Sequence, residues 1–236
     1  MSLIIAVYVS DGIVFASDRR LSVNSTEDKE DVKEVRLGSH FFDTTDKTFL
    51  ASNNVAISTC GVSNIANKTI TGYINNMIMT RISKETPIED VPNIVIDYFN
   101  QFETVPDTNF IIGGYSKIDG AIEQKLYRVN VLKKTLEETD TTKQGALWNG
   151  EVFTLARLLL PVAMKKDNGI YEDLPNEEIL WNYFSLQDAV DFARFAIETT
   201  IKTMSFKKVV KSVGGDIDIL VITPEGHQWV QKAELH

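Results

Sequence analysis

The 236-residue chain is 43% hydrophobic, with a formal net charge of −9 and a pI near 4.9; it holds enough apolar material for a substantial core and is expected to form one domain, residues 1–236. That acidity argues against nucleic-acid binding. The lone Cys60 excludes an internal disulfide and a cysteine-rich metal site, and His40, His227 and His236 lack ligand spacing, so neither metal nor cofactor is expected.

Leu3 to Val9 is rich in β-branched residues and reads as a buried strand. Ser10-Asp11-Gly12 turns the chain, with Gly12 expected at the positive φ of the turn, into a return strand Ile13 to Ser17. A tight hairpin brings its outer ends together, so Asp18 should lie near Ser2. Residues 19–44 read as a polar loop around Glu27-Asp28-Lys29-Glu30-Asp31, with a short strand at Val35 to Leu37.

Strands resume at Lys47 to Leu50 and Val55 to Thr59, separated by Ser52-Asn53-Asn54. Cys60, at the end of an apolar run, reads as a small buried hydrophobe. After Gly61, Val62, Ile65, Ala66, Ile70, Tyr73, Ile74 and Met77 recur at helical spacing, and a second helix covers Val91 to Phe102. Phe110 to Tyr115 and Lys125 to Val129 read as paired strands, Gln144 to Trp148 as a further strand, and Glu151 to Leu160 as a helix stopped by Pro161.

Residues 165–184 are polar and irregular. Ser185 with Asp188 forms a capping box that opens a long helix, and the basic trio Lys207, Lys208 and Lys211 reads as a solvated loop. Strands at Ile217 to Ile222 and near Trp229 close the chain. Asp216 and Asp218 alternate and are expected on one polar face. The order of strands, helices, strands, helices, strands fits an α+β fold of two stacked antiparallel sheets with a helix layer outside each, a four-layer αββα sandwich. No run reaches the roughly 20 apolar residues of a membrane span. The N-terminus lacks a positive leader and a small-residue cleavage site, so a cytoplasmic location is expected.

Ser2-Leu-Ile-Ile-Ala-Val, the Ser10-Asp-Gly hairpin and Ala16-Ser-Asp18-Arg19 resemble the start of a proteasome β-type subunit. Thr45-Asp46-Lys47 matches that family's lysine motif, and Gly61 follows at the spacing of its oxyanion-hole glycine. The segment Val213-Gly-Gly-Asp-Ile-Asp218 is similar to the bacterial Anbu-type relatives, a more distant branch. The resemblance implies an N-terminal-nucleophile hydrolase fold, ring-forming or stacked homo-oligomers, and a peptide or protein substrate. It also implies catalytic roles for Ser2, Asp18, Lys47 and Gly61, and a pocket bordered by Leu21, Ser22, Phe49, Thr59 and Ser63.

The implied chemistry is that of a threonine-type peptidase with serine in place of threonine. Once Met1 is removed, the Ser2 hydroxyl attacks an amide carbonyl and its own α-amine, with a reference pKa of roughly 7.7–8.0, takes the proton. Lys47 favours the neutral amine and the developing alkoxide, Asp18 fixes Lys47, and the Gly61 N–H at a helix start meets the oxyanion. Singly, each residue has a plain reading: Asp18 as a partner of Arg19 or Arg20, Lys47 as a surface lysine, Gly61 as a strand end. The chain also departs from the family. Gly145-Ala-Leu-Trp-Asn-Gly150 replaces a Gly-Ser-Gly-Ser element, and Val210 and Val213 stand where an aspartate and a serine are expected, with Ser212 or Asp216 as candidate replacements. The rival functions are a non-catalytic assembly subunit and an amidase for small amides. No ATPase-docking motif is recognisable at Lys232 to His236.

Overall fold

The computed structural model describes residues 2–29, 32–66, 68–118 and 120–233. Met1, the Glu30-Asp31 part of the expected charged loop and the last three residues lie outside them.

Alternation of apolar residues builds two five-stranded antiparallel sheets. The first runs in the order β12 (Gly145–Gly150), β1 (Leu3–Val9), β2 (Gly12–Asp18), β15 (Ile217–Thr223), β16 (Gly226–Gln231). The second runs β11 (Thr135–Glu138), β10 (Ala121–Asn130), β9 (Thr108–Ile118), β6 (Ala56–Gly61), β5 (Thr48–Leu50). Between them, Ile4, Ala6, Phe15, Ile111, Leu126 and Leu220 form a buried layer. Helices α1 (Ile70–Arg81) and α2 (Val91–Phe99) cover the outer face of the second sheet through Ile74, Met77, Val95 and Phe99. Helices α3 (Phe153–Leu159) and α4 (Leu186–Phe206) cover the first through Leu155, Val190, Ala193 and Ile197. This is the expected αββα order, and every residue of β1 and β2 is buried because both faces are covered.

Several local expectations change. Val9 pairs with Gly12, so Ser10 and Asp11 alone make the turn, and Gly12 does not have a positive φ. Glycine is needed there for space: a Cβ would sit 2.9 Å from the Ile222 carbonyl and from Leu186 Cδ1. The expected loop after Asp18 is a β-hairpin, β3 (Leu21–Lys29) and β4 (Val32–Phe42), in which Asp28 stands opposite Lys33. Its sequence lacks the apolar alternation by which the other strands are recognised. A smaller hairpin, β13 (Ala163–Lys165) and β14 (Tyr171–Asp173), interrupts the segment expected to be irregular.

The helix after Gly61 begins only at Ile70. A tight hairpin of β7 (Asn64–Ile65) and β8 (Lys68–Thr69) precedes it, and Ala66 adopts φ 47°, incompatible with a continuous helix. The Ser185–Asp188 capping box is formed as expected, while Lys211 donates back to the Met204 and Lys207 carbonyls and caps the far end of α4. Among the described residues, no helix is long and apolar enough to cross a membrane.

Candidate active site

Ser2 is fixed by its backbone on two sides. The N–H of Leu3 donates to Asp18 Oδ1 at 3.0 Å, and the Ser2 carbonyl accepts from Glu151 N–H at 2.8 Å. The second contact depends on Gly150, at φ +100°, where a Cβ would fall 1.8 Å from the Ser2 oxygen. The hairpin thus brings Asp18 to the head of β1, and the end of β12 closes on it from the other side.

Asp18 is fully buried and its carboxylate is fully used. Oδ1 accepts from Leu3 N–H and from the Lys47 ammonium at 2.7 Å, while Oδ2 accepts from the N–H groups of Arg20 at 3.1 Å and Gly214 at 3.0 Å. Lys47 is also buried and donates to the Arg20 carbonyl at 2.7 Å, leaving one of its three N–H groups uncommitted among the described residues. Burial pushes the Lys47 ammonium below the ordinary lysine range, and Asp18 opposes that shift.

The pairing continues outward in alternating register. Arg19 meets Asp46 at 2.5 Å and Asp218 at 2.8 Å, and Arg20 meets Asp43 at 2.5 Å. Lys232 bridges Asp46 and Asp218 at 2.6 and 3.1 Å. Asp216 and Asp218 therefore do not share a polar face: Asp216 is exposed, whereas Asp218 is buried against Arg19, Lys232 and the Ala233 N–H. The sequence alternates there, but Asp216 precedes the strand and escapes its pleat.

One pocket of about 30 Å³ gathers Ser2, Leu21, Lys47, Thr59, Gly61 and Ser63. It has room for about one water molecule. Phe49 and Ser22 do not line it. Phe49 belongs to the core beneath α1 and α2, and the Ser22 hydroxyl is buried without a partner among the described residues. Gly61 has φ +126°, and a Cβ there would lie 2.6 Å from the Asp107 carbonyl. Because α1 starts nine residues later, no helix N-terminus stands behind the Gly61 N–H. Cys60 lines the same pocket, but burial pushes its thiol up to about 12, which keeps it protonated.

No family model and no curated protein sequence matches the chain. Solved structures do. An Anbu mutant from Hyphomicrobium sp. strain MC1 superposes with a TM-score of 0.59 at 16% identity, covering 98% of this chain and 86% of that one. Anbu, described as an ancestral beta-subunit, from Yersinia bercovieri gives 0.56 at 14% identity, covering 98% and 88%.

The fold is that of Anbu, a bacterial proteasome-like protein.

Within this Anbu fold, Gly150 and Gly214 are the positions that sequence reasoning left without a role. Gly214 supplies the amide that holds Asp18, and it packs flush on Arg20, whose guanidinium carbon would lie 2.4 Å from an added Cβ. The Val213-Gly214-Gly215 run was the available signal. For Gly150, the glycine between strand and helix was visible, but its partner across the sheet was not. Ser212 is buried with its hydroxyl unpaired among the described residues, and neither it nor Asp216 lines the Ser2 pocket. Among the described residues, no group of three or more His, Cys, Asp or Glu could hold a metal ion.

Proposed function

We propose that this chain is an N-terminal-nucleophile amide hydrolase, a proteasome-like peptidase that uses Ser2 once Met1 is removed. The observation that carries the reading is the buried Asp18–Lys47 pair at the pocket that Ser2 lines. An ammonium in a site of low dielectric favours the neutral α-amine that acts as base and stabilises the alkoxide forming at Ser2 Oγ. The carbonyl carbon gains the Ser2 oxygen, the α-amine takes the hydroxyl proton and passes it to the leaving amine, and water then hydrolyses the resulting ester. Thr59 and Ser63 border the site, and the Gly61 N–H is the candidate oxyanion donor. Asp18 and Gly214 are positioning residues: the Gly214 N–H holds Asp18, and Asp18 holds Lys47.

A second reading, a non-catalytic assembly subunit, is favoured by one observation. The segment from α3 to the end of α4 leaves Phe153, Ile170, Tyr171, Leu180, Tyr183 and Phe206 exposed, a surface suited to contact between copies. Self-association belongs to both readings, in a ring or a stacked assembly. Turnover of a fluorogenic peptide library by the protein with a free Ser2 amine separates them. The hydrolase reading expects cleavage that Ser2→Ala abolishes without changing the assembly seen by ultracentrifugation. Equal turnover by both proteins, or none by either, overturns it.

A further inference from the structure

Arg19 follows Asp18 and Asp46 precedes Lys47, and both belong to a second set of charges one peptide bond away from that pair. The guanidinium of Arg19 and the ammonium of Lys232 meet the same two oxygens, Asp46 Oδ1 and Asp218 Oδ2, so cation and anion alternate around a ring of four. Both oxygens bind one Arg19 nitrogen, which makes the two carboxylates close neighbours. Like charges at that range repel unless each is matched, and Lys232 supplies the second cation. Asp218 and Arg19 are buried, whereas the Asp46 and Lys232 side chains are 34% and 30% exposed.

Lys232 reaches the ring through a break in strand register. Leu220 pairs with Trp229 but Ile219 pairs with Gln231, so Val230 is an extra residue in β16. An unbroken ladder would set Gln231 beside Asp218. The bulge sets Lys232 there instead, and the Ala233 N–H donates to Asp218 Oδ1 at 3.2 Å. The ammonium also lies 4.5 Å from the centre of the Trp229 ring, whose face favours a cation.

At its other side the ring holds the segment that leads into Lys47. The Asp46 side chain is fixed by two cations, and its carbonyl accepts from the Thr71 hydroxyl at the start of α1 at 3.2 Å. Arg19 donates to the Thr44 carbonyl at 2.9 Å, and its own carbonyl accepts from the Thr45 N–H at 3.0 Å. Without Lys232, one guanidinium faces two carboxylates and one negative charge is left uncompensated. Asp46, the more exposed of the two, is then the one that turns to water. We propose that Lys232 is a positioning residue for hydrolysis at Ser2, locking through Asp46 the backbone that carries Lys47. The assignment rests on the hydrolase reading and gives the C-terminal strand β16 a part in the site.

Steady-state kinetics of peptide cleavage by the full chain with a free Ser2 amine test it. Lys232→Met should lower kcat at least fivefold and leave KM within twofold, because Lys47 acts on charge that develops in the transition state. Lys232→Arg, which keeps the cation, should return kcat to within twofold of wild type. Lys202→Met removes an exposed charge from α4 and should leave kcat unchanged. Lys232→Gln repeats the measurement if the methionine variant does not fold. Wild-type kcat in the variant lacking the charge, a loss confined to KM, or an equal loss in Lys232→Arg overturns the positioning role while wild-type turnover upholds the hydrolase reading. No turnover by the wild-type chain overturns both.

Discussion

Asp18 and Lys47 form an ion pair 2.7 Å long whose two side chains are almost wholly removed from water, yet they are not equally supported. Asp18 keeps three backbone N–H donors besides Lys47, from Leu3, Arg20 and Gly214, whereas among the described residues Lys47 has besides Asp18 only the Arg20 carbonyl. The pair is therefore asymmetric towards mutation. Asp18→Asn strands a buried ammonium and should cost about 3–5 kcal/mol in urea denaturation. Lys47→Met leaves the carboxylate hydrogen-bonded and should cost less. Both should abolish peptide turnover, so the stability ranking, not activity, tests the asymmetry.

Lys47 also sets an expectation for pH. Burial lowers its pKa against the opposing pull of Asp18. Between that lowered pKa and the ordinary lysine value of about 10.4, the unfolded chain holds the proton more tightly than the folded chain does. The contribution of this group to stability thus rises with pH across that window. Activity moves the other way, because the charge at Ser2 is lost: the alkaline limb of kcat/KM should fall below about 10.4. Arginine stays charged throughout, so any activity retained by Lys47→Arg should lack that limb.

Gly150→Ala isolates positioning from chemistry. The added methyl must displace the Ser2 carbonyl, 1.8 Å away, and break its bond from Glu151 N–H. Peptide turnover should fall at least tenfold, while circular dichroism shows a folded chain with a lower Tm. Unchanged kcat/KM in a folded Gly150→Ala protein would show that the backbone clamp is irrelevant to Ser2.

The 30 Å³ pocket at Ser2 accommodates little beyond a methyl group. Peptides with glycine or alanine before the scissile bond should be cleaved at least tenfold faster than those with leucine or tyrosine. Leu21→Ala, which trims a half-buried wall residue, should narrow that ratio. A library profile led by large residues would contradict this size limit.

The sandwich was legible in the sequence because its strands and helices keep strict periods: Leu3 to Val9 as a buried run, Ile74 and Met77 on a helical stripe, Ser185 and Asp188 as a cap. The β3–β4 hairpin was not, since the run Glu27-Asp28-Lys29-Glu30-Asp31 carries no apolar alternation and reads as a solvated loop. The helix start was misplaced from Ile70 to Gly61 because Val62 and Ile65 happen to continue the apolar spacing, whereas the β7–β8 hairpin, with Ala66 at positive φ, occupies that stretch. The hairpin argument placed Asp18 near Ser2, and the family resemblance implied Lys47, Thr59 and Gly61; Lys47, Thr59 and Gly61 line one pocket with Ser2, and Asp18 pairs with Lys47. Phe49 was misleading because β5 alternates: Thr48 faces Ser17 and Ser58, leaving Phe49 to the outer core. Gly150 depended on a cross-sheet contact that no local pattern encodes.

The central claim is that Ser2 is a free N-terminal nucleophile. Its most direct test is the intact mass of the protein from its native host after exposure to a β-lactone, an electrophile that acylates activated hydroxyls. The expected product is a chain lacking Met1 and carrying one adduct at Ser2, absent from Ser2→Ala. Retention of Met1, or an adduct that persists in Ser2→Ala, would contradict the claim.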